Sequence, residues 1–273
     1  MVESRAWSAA GDWDALVLID SAPGSQYDAL LDAVRRRGRP PGAVAALALA
    51  GRDFHGNRGR PWQTVRGNLH LSCQAPVDLD LGRCAAAVPA VAAVSVSEAI
   101  ARLCPQAAPR IKWINDVLLD GGKVAGVLAA AQSRGGRLIT LSYGVGLNVG
   151  VTPSVAPTVF VPRITSLAAA GHDIGLHAVA VAVLARLRAN LAGLADAAGG
   201  GSVVARYRRL CGDVGRRVAV YAEGLPDATD PADLPPPLAC GRVTGLDESL
   251  QLLVEGCSQP LSGGRLRDLE PRL

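Results

Sequence analysis

Hydrophobic positions in this chain of 273 residues change their period several times, and each change marks an element. Residues 15–19 are an unbroken apolar run and predict a buried strand. Residues 26–36 carry helical spacing, and Arg35, Arg36 and Arg37 ahead of Gly38 close that helix with cations and a glycine stop. Residues 43–50 are a second apolar run. Residues 68–73 alternate and predict another strand, and residues 83–103, rich in alanine, predict a long helix. Residues 110–119, 123–131 and 137–143 predict three successive strands. Asp120-Gly121-Gly122 supplies a hairpin signal between the first two. Residues 177–197 predict an amphipathic helix. From about residue 210 the runs shorten: 217–221, 241–246 and 250–255 are strand-like, and 225–238, with five prolines, predicts an exposed loop. The composition change near 210 and the roughly sixty residues of short strands after it imply a small β-barrel or half-barrel.

Composition narrows the function classes. The net charge is only +4, and 24 acidic residues are interspersed among the cations, so no basic tail argues for nucleic acid. The six cysteines are scattered without a C-x-x-C pair, which points away from zinc and from thioredoxin-like redox chemistry. The first twenty residues include Glu3, Arg5, Asp12, Asp14 and Asp20 and do not read as a secretory leader. The longest apolar stretch, 85–94, is too short to span a bilayer and contains Pro89. The expectation is a cytoplasmic protein with free thiols, no membrane association and no bound redox or zinc cofactor.

Lysine is nearly absent. Of 28 cationic residues only Lys112 and Lys123 are lysines, and both fall within one twelve-residue stretch. Lysine is a compact point charge where arginine is a planar fork, so the two are least interchangeable where one small cation must sit among several oxygens. Three glycine-bearing segments add to this. Residues 51–61 form a polar loop with Arg52, His55, Arg58 and Arg60, ending at Trp62. Lys112 is expected at the head of a strand, beside Asn115 and Asp116. Gly144-Val145-Gly146-Leu147-Asn148 closes another strand. Close backbone approach, N–H donors and cations together suit phosphate binding. Trp62 could stack on a purine or simply pack, and Asp116 could hold a hydrated Mg2+ whose other ligands come from phosphates. His70, His172 and His177 read as structural or surface groups. No Ser-His-Asp or Cys-His grouping is evident, so the expected reaction is a direct displacement between two bound substrates.

Read as strings, these segments resemble the biotin protein ligase family, relatives of the lipoate ligases. Lys112-Trp113-Ile114-Asn115-Asp116 is similar to the family's K-W-P-N-D. Gly122 to Leu128 resembles G-K-K-x-x-G-I-L, Gly67 to Ser72 resembles G-N-L-Y-L-S, and Gly144 to Val149 resembles G-I-G-I-N-V. The order and spacing agree over about residues 15–270. The resemblance implies that biotin's carboxylate attacks the α-phosphate of ATP, and that a lysine of a biotin carboxyl carrier domain then takes the biotinyl group from the adenylate. Lys112 would be the catalytic residue, neutralising charge between carboxylate and phosphate. Ser25, Gln26, His55, Gly56, Asn57, Arg60, Trp62 and Gly126 would contact the acid or its adenylate. Trp62, Asn115, Asp116 and Asn148 would hold the nucleotide, Asp116 with its Mg2+. Lys123, on a hairpin rim, would be structural or substrate-contacting. The fold implied is α+β, a mixed sheet flanked by helices over residues 1–209 with an SH3-like barrel over 210–273, and no DNA-binding domain fits ahead of the first strand.

The chain departs from the family in the loop, where the family reads G-R-G-R-x-G-R-x-W. Aligned without gaps on Trp62, Gly56, Gly59, Arg60 and Trp62 match, while His55 and Asn57 stand in place of two arginines. A gapped alternative pairs Gly51-Arg52 with the first G-R, and Asp20-Ser21 competes with Ser25-Gln26 for the family's S-T-N/Q motif. Fewer loop cations imply leakier retention of the adenylate. A ligase or acyltransferase acting on lipoate, octanoate or another acid is the alternative of the same fold, and a sequestering protein is the alternative of another class.

Overall fold

The computed structural model describes residues 11–196 and 199–272. Glu3, Arg5 and the end of the expected helix at 197 lie outside them. Seven strands, β1 (Ala15–Ile19), β2 (Val44–Ala48), β3 (Leu69–Asp80), β4 (Arg110–Lys112), β5 (Asp116–Leu119), β6 (Gly122–Arg134) and β7 (Arg137–Leu147), form one sheet in the order β1-β2-β3-β7-β6-β5-β4. β1 and β2 are parallel, as α1 (Gln26–Arg37) between them allows, and the other pairs are antiparallel. Ser25 caps α1 by accepting the Asp28 N–H, and Gly38 ends it at φ 78°.

Strand alternation divides the sheet into two faces. Leu69, Leu71 and Cys73 of β3 and Tyr143, Val145 and Leu147 of β7 all belong to the buried core. That face is covered by α3 (Val88–Leu103), whose small side chains let it be buried along most of its length. α4 (Leu176–Ala192) and α5 (Gly201–Leu210) pack on α3, where Glu98 holds Arg186 of α4 and Arg206 of α5. Asn190 donates to the Ser95 hydroxyl at 2.8 Å, satisfying two polar groups inside that packing. With the turn after it, α4 is long and apolar enough to cross a membrane, but nearly half of it is buried against its neighbours. The opposite face carries His70, Ser72 and Gln74 of β3 with Gly126 of β6 and Gly144 and Gly146 of β7. It is covered by α1 and the polar loop.

Three expectations are corrected. Residues 110–119 are not one strand: β4 and β5 pair with each other, Lys112 opposite Asp116, around Trp113-Ile114-Asn115. Lys112 therefore ends a strand instead of heading one. The Trp113–Ile114 peptide is cis. The expected helix 83–103 is two elements, α2 (Leu81–Cys84) and α3, broken at 85–87 just ahead of Pro89 in α3's first turn. α5, which the pattern did not signal, precedes the tail. The Asp120-Gly121 turn forms as expected, with φ 48° and 76°.

The tail holds β8 (Arg217–Tyr221), β9 (Ala239–Leu246), β10 (Leu252–Val254) and β11 (Arg265–Asp268), an antiparallel sheet ordered β10-β9-β8-β11. β11 had no strand signature of its own. The tail is joined to the rest of the chain through the loop ahead of β8, whose Gly212 N–H donates to Ile111 O of β4 at 2.8 Å, and through Phe160, in the segment after β7, which packs on Ala219 and Tyr221 of β8.

Candidate active site

All the singled-out site residues line one cavity. Ser25 and Gln26 come from the start of α1, His55, Gly56, Asn57, Arg60 and Trp62 from the loop, and Lys112, Asn115 and Asp116 from the β4–β5 hairpin. Gly126 of β6 and Asn148 just after β7 complete the set. The loop is more ordered than its composition suggests. The Gly56 N–H donates to Arg60 O at 2.7 Å and the Trp62 N–H to Phe54 O at 2.8 Å, making a small hairpin around Asn57–Gly59. His55 ties it to α1 through Asp28, 2.8 Å away, and Arg58 ties it to Glu223 of the tail. The Gly56 carbonyl, and then Asp28, hold the His55 imidazole above its usual pKa against a partial desolvation.

The alternating glycines of β7 are not a phosphate cradle, because they sit in mid-ladder between β3 and β6. Their work is steric. Gly126 and Gly146 are cross-strand partners, and the Trp62 ring lies over both: a Cβ on Gly146 would stand 2.3 Å from the ring and one on Gly126 3.2 Å. Gly144 clears room for Tyr27 in the same way, at 3.2 Å. The indole is thus seated on a floor of bare backbone with one ring face against the protein.

Lys112 is buried. Its Nζ donates to Phe160 O at 2.5 Å and lies 3.9 Å from Asp268 of β11. Burial pushes the ammonium below its ordinary pKa, and Asp268, Asp213 and Asp116 oppose that shift. An ammonium has three N–H donors, and these two neighbours leave capacity for a ligand oxygen. Lys123, expected at the rim, also lines the cavity. It pairs with Asp116 at 2.8 Å and lies 5.7 Å from the centre of the Trp62 ring. One Asp116 oxygen is therefore engaged. Asn115 is stapled to β6, donating to Val127 O at 3.1 Å.

Several buried polar atoms in the cavity lack a hydrogen-bond partner among the described residues: Gln26 Oε1, Trp62 Nε1, His70 Nδ1 and Asn148 Oδ1. Gln26 donates its amide to Ala46 O and His70 O, and Asn148 donates to Thr165 O, so both carbonyls are aimed by anchored donors. Unpaired buried acceptors cost about 1–3 kcal/mol each, a cost that a polar ligand would remove. The sequence reading missed Phe160, Arg265 and Asp268. Arg265 lines the cavity, packs 3.8 Å over the Phe160 ring and pairs with Asp227. Arg60 lines the same cavity, and its guanidinium is held below its usual pKa by burial first and by Arg265 second, with Asp116, Asp227 and Glu223 opposing. Among the described residues no group of three or more His, Cys, Asp or Glu side chains could hold a metal by itself.

The arrangement suits an anionic, polar ligand held against a buried ammonium. Residues 44–148 match the family model described as the biotin/lipoate A/B protein ligase family. A biotin–[acetyl-CoA-carboxylase] ligase of Paracoccus denitrificans is 38% identical over 117 residues, 40% of this chain and 46% of that protein. The alignments thus span less than half of several curated relatives. The bifunctional ligase/repressor BirA of Escherichia coli is 28% identical over 94% of this chain and 74% of its own. In fold, the chain resembles the biotin protein ligase from Aquifex aeolicus in complex with biotin and ATP, at TM-score 0.67 and 22% identity, over 93% of this chain and 98% of that one. The biotin–[acetyl-CoA-carboxylase] ligase of Mycobacterium tuberculosis is 30% identical over 72% of this chain and 76% of its own length. With four motifs in order, one cavity that gathers them and a relative aligned over three quarters of its length, the chain belongs to the biotin protein ligase family.

Proposed function

We propose that the protein activates biotin with ATP as biotinyl-5′-adenylate and transfers the biotinyl group to a lysine of a biotin carboxyl carrier protein domain. The observation that carries this is Lys112, a buried ammonium with donor capacity to spare at the wall of a cavity that the other residues of the proposed site also line. In the first step a biotin carboxylate oxygen bonds to the α-phosphorus and pyrophosphate leaves. Negative charge crowds at that point, and a compact cation in a dry site lowers its energy most. In the second step the carrier lysine, as a free amine, attacks the acyl carbon and AMP leaves with the bonding pair.

Each cavity group then has a task. Gln26 Oε1 is an acceptor for a ureido N–H of biotin, with Ser25 beside it at the head of α1. His55, Gly56, Asn57 and Arg60 close over the acid and its adenylate. The unpaired Asn148 Oδ1 would accept from the adenine amino group, and the free face of Trp62 would stack on the base. Asn115 and Asp116 would support the triphosphate. Mg2+ arrives as Mg-ATP, and the phosphates furnish the ligands that one carboxylate cannot. Six free cysteines and the need for ATP support a cytoplasmic setting.

The test is acid-dependent pyrophosphate release with biotin, lipoate and octanoate in parallel, followed by labelling of a carrier domain. Release with biotin and none with the others is expected. Release with lipoate or octanoate alone would assign the site to the other acid, and no release with any acid would sink the reading.

A further inference from the structure

Lys112 is gripped from behind by the tail. A small second cavity lies on its other side, lined by Lys112, Asp116, Lys123, Phe160, Asp268 and Arg272 among others. The Lys112 and Asp268 side chains are only 8% and 10% exposed. Asp268 is itself fixed: Oδ1 accepts from Arg216 Nε at 2.9 Å and Oδ2 from Arg272 Nε at 2.7 Å. Arg272 reaches on to Asp213, which is fully buried. The other Asp213 oxygen accepts the Trp113 N–H at 2.6 Å. One cluster therefore holds the side chain of residue 112 and the backbone of residue 113. The Arg216 guanidinium also donates to the carbonyls of Glu270 and Pro271, which fixes the tail that carries Arg272.

We propose that Asp268, clamped by Arg216 and Arg272, is a positioning residue that sets where the Lys112 ammonium stands, so that the C-terminal sheet completes the reaction site. Lysine has a long flexible stem, and a buried one without a counter-charge withdraws toward whatever oxygen it can reach. Here Phe160 O takes one donor at 2.5 Å, and the Asp268 carboxylate, 3.9 Å away, draws the ammonium toward β11 by charge without a hydrogen bond, which leaves two donors for the remaining space. Misplacement of a reacting group by about 1 Å can cost about a hundredfold in rate, so this clamp bears on turnover and not on substrate affinity. The inference rests on the reading of Lys112 given above.

Two measurements test it. The chain has only two lysines, so labelling with lysine enriched in 13C at Cε gives two side-chain signals, assigned by Lys123→Arg. Asp268→Asn should shift or broaden the Lys112 signal and leave that of Lys123 in place. Steady-state pyrophosphate release with biotin and ATP should show kcat lower by about 10–100-fold and KM for each substrate within about threefold. Asp268→Glu, which keeps the charge, should recover most of the lost kcat. If Asp268→Asn fails to fold, Arg272→Gln replaces it, and its kcat should fall with the same disturbance of Lys112. The proposal is overturned if a folded variant keeps kcat within about twofold, if the loss lies in KM, or if the Lys112 signal does not move. Absence of biotin-dependent release in the unmodified protein would instead remove the functional reading, while the spectra would still report the clamp.

Discussion

Among single residues, Lys112 and Gly146 have the sharpest consequences. Lys112→Ala should lower adenylate formation by about 10²–10³-fold, as removal of a charge-stabilising donor does. Lys112→Arg should be nearly as damaging, because the space between Phe160 O and Asp268 admits a point charge and not a fork. Pyrophosphate-release kinetics checks both, and an active Arg variant would overturn the account. Gly146→Val should cost about 1–3 kcal/mol by overpacking, read from urea denaturation, and should displace Trp62 with a change in its fluorescence. Lys112 was legible because a compact cation stands out in a chain that otherwise uses arginine. Asp268 was not, since nothing local distinguishes it and only folding brings it beside Lys112, and Arg265 was visible only as the end of a weak tail match to the family, with no role attached. Glycines 144 and 146 were visible as a pattern, but their purpose was misread: their backbone groups are spent in the ladder, and the missing side chains are what count.

The β4–β5 hairpin shows where elements escaped the sequence. Trp113-Ile114-Asn115 has no turn residue ahead of Asn115 and continues an apolar run. The bend is held by distant partners: Asp213 on the Trp113 N–H, Tyr207 donating to Ile114 O, and Asn115 paired with Val127. Elements with local signals were read correctly, α1 with its cap and glycine stop above all. The loop hairpin carries a pH prediction. His55 has a raised folded-state pKa, so the Asp28 contact has its full ion-pair strength below the unfolded value of about 6.5 and loses it as pH rises through the raised one. Hydrogen exchange at the loop amides should therefore be more protected at about pH 6 than at about pH 8.5, after correction for intrinsic rates. Asp28→Asn should reduce that difference without abolishing it, since the Gly56 carbonyl also favours the charged imidazole; an unchanged profile would count against the tether.

Across the whole molecule, the seam between the two sheets is built from charge, not from a continuous apolar interface alone. Asp213→Ala would leave Arg272 without its buried partner and the Trp113 N–H without an acceptor. It should cost about 3–5 kcal/mol in denaturant unfolding. The two units should then lose their cooperativity together, and a variant within about 1 kcal/mol of the parent would contradict the seam. The placement of the two lysines has one more consequence. Acyl-adenylates react with any free amine they meet. The Lys112 and Lys123 side chains are 8% and 20% exposed, both are ion-paired, and there are no others. An adenylate that escaped the site would therefore meet few exposed lysine amines, since the other 26 of the 28 Lys and Arg residues carry guanidinium groups, poor nucleophiles at neutral pH. Intact-mass analysis with peptide mapping, after prolonged incubation with biotin and ATP and without carrier, should find no biotinyl adduct on either lysine: the reagent of the proposed reaction would find both lysine amines engaged.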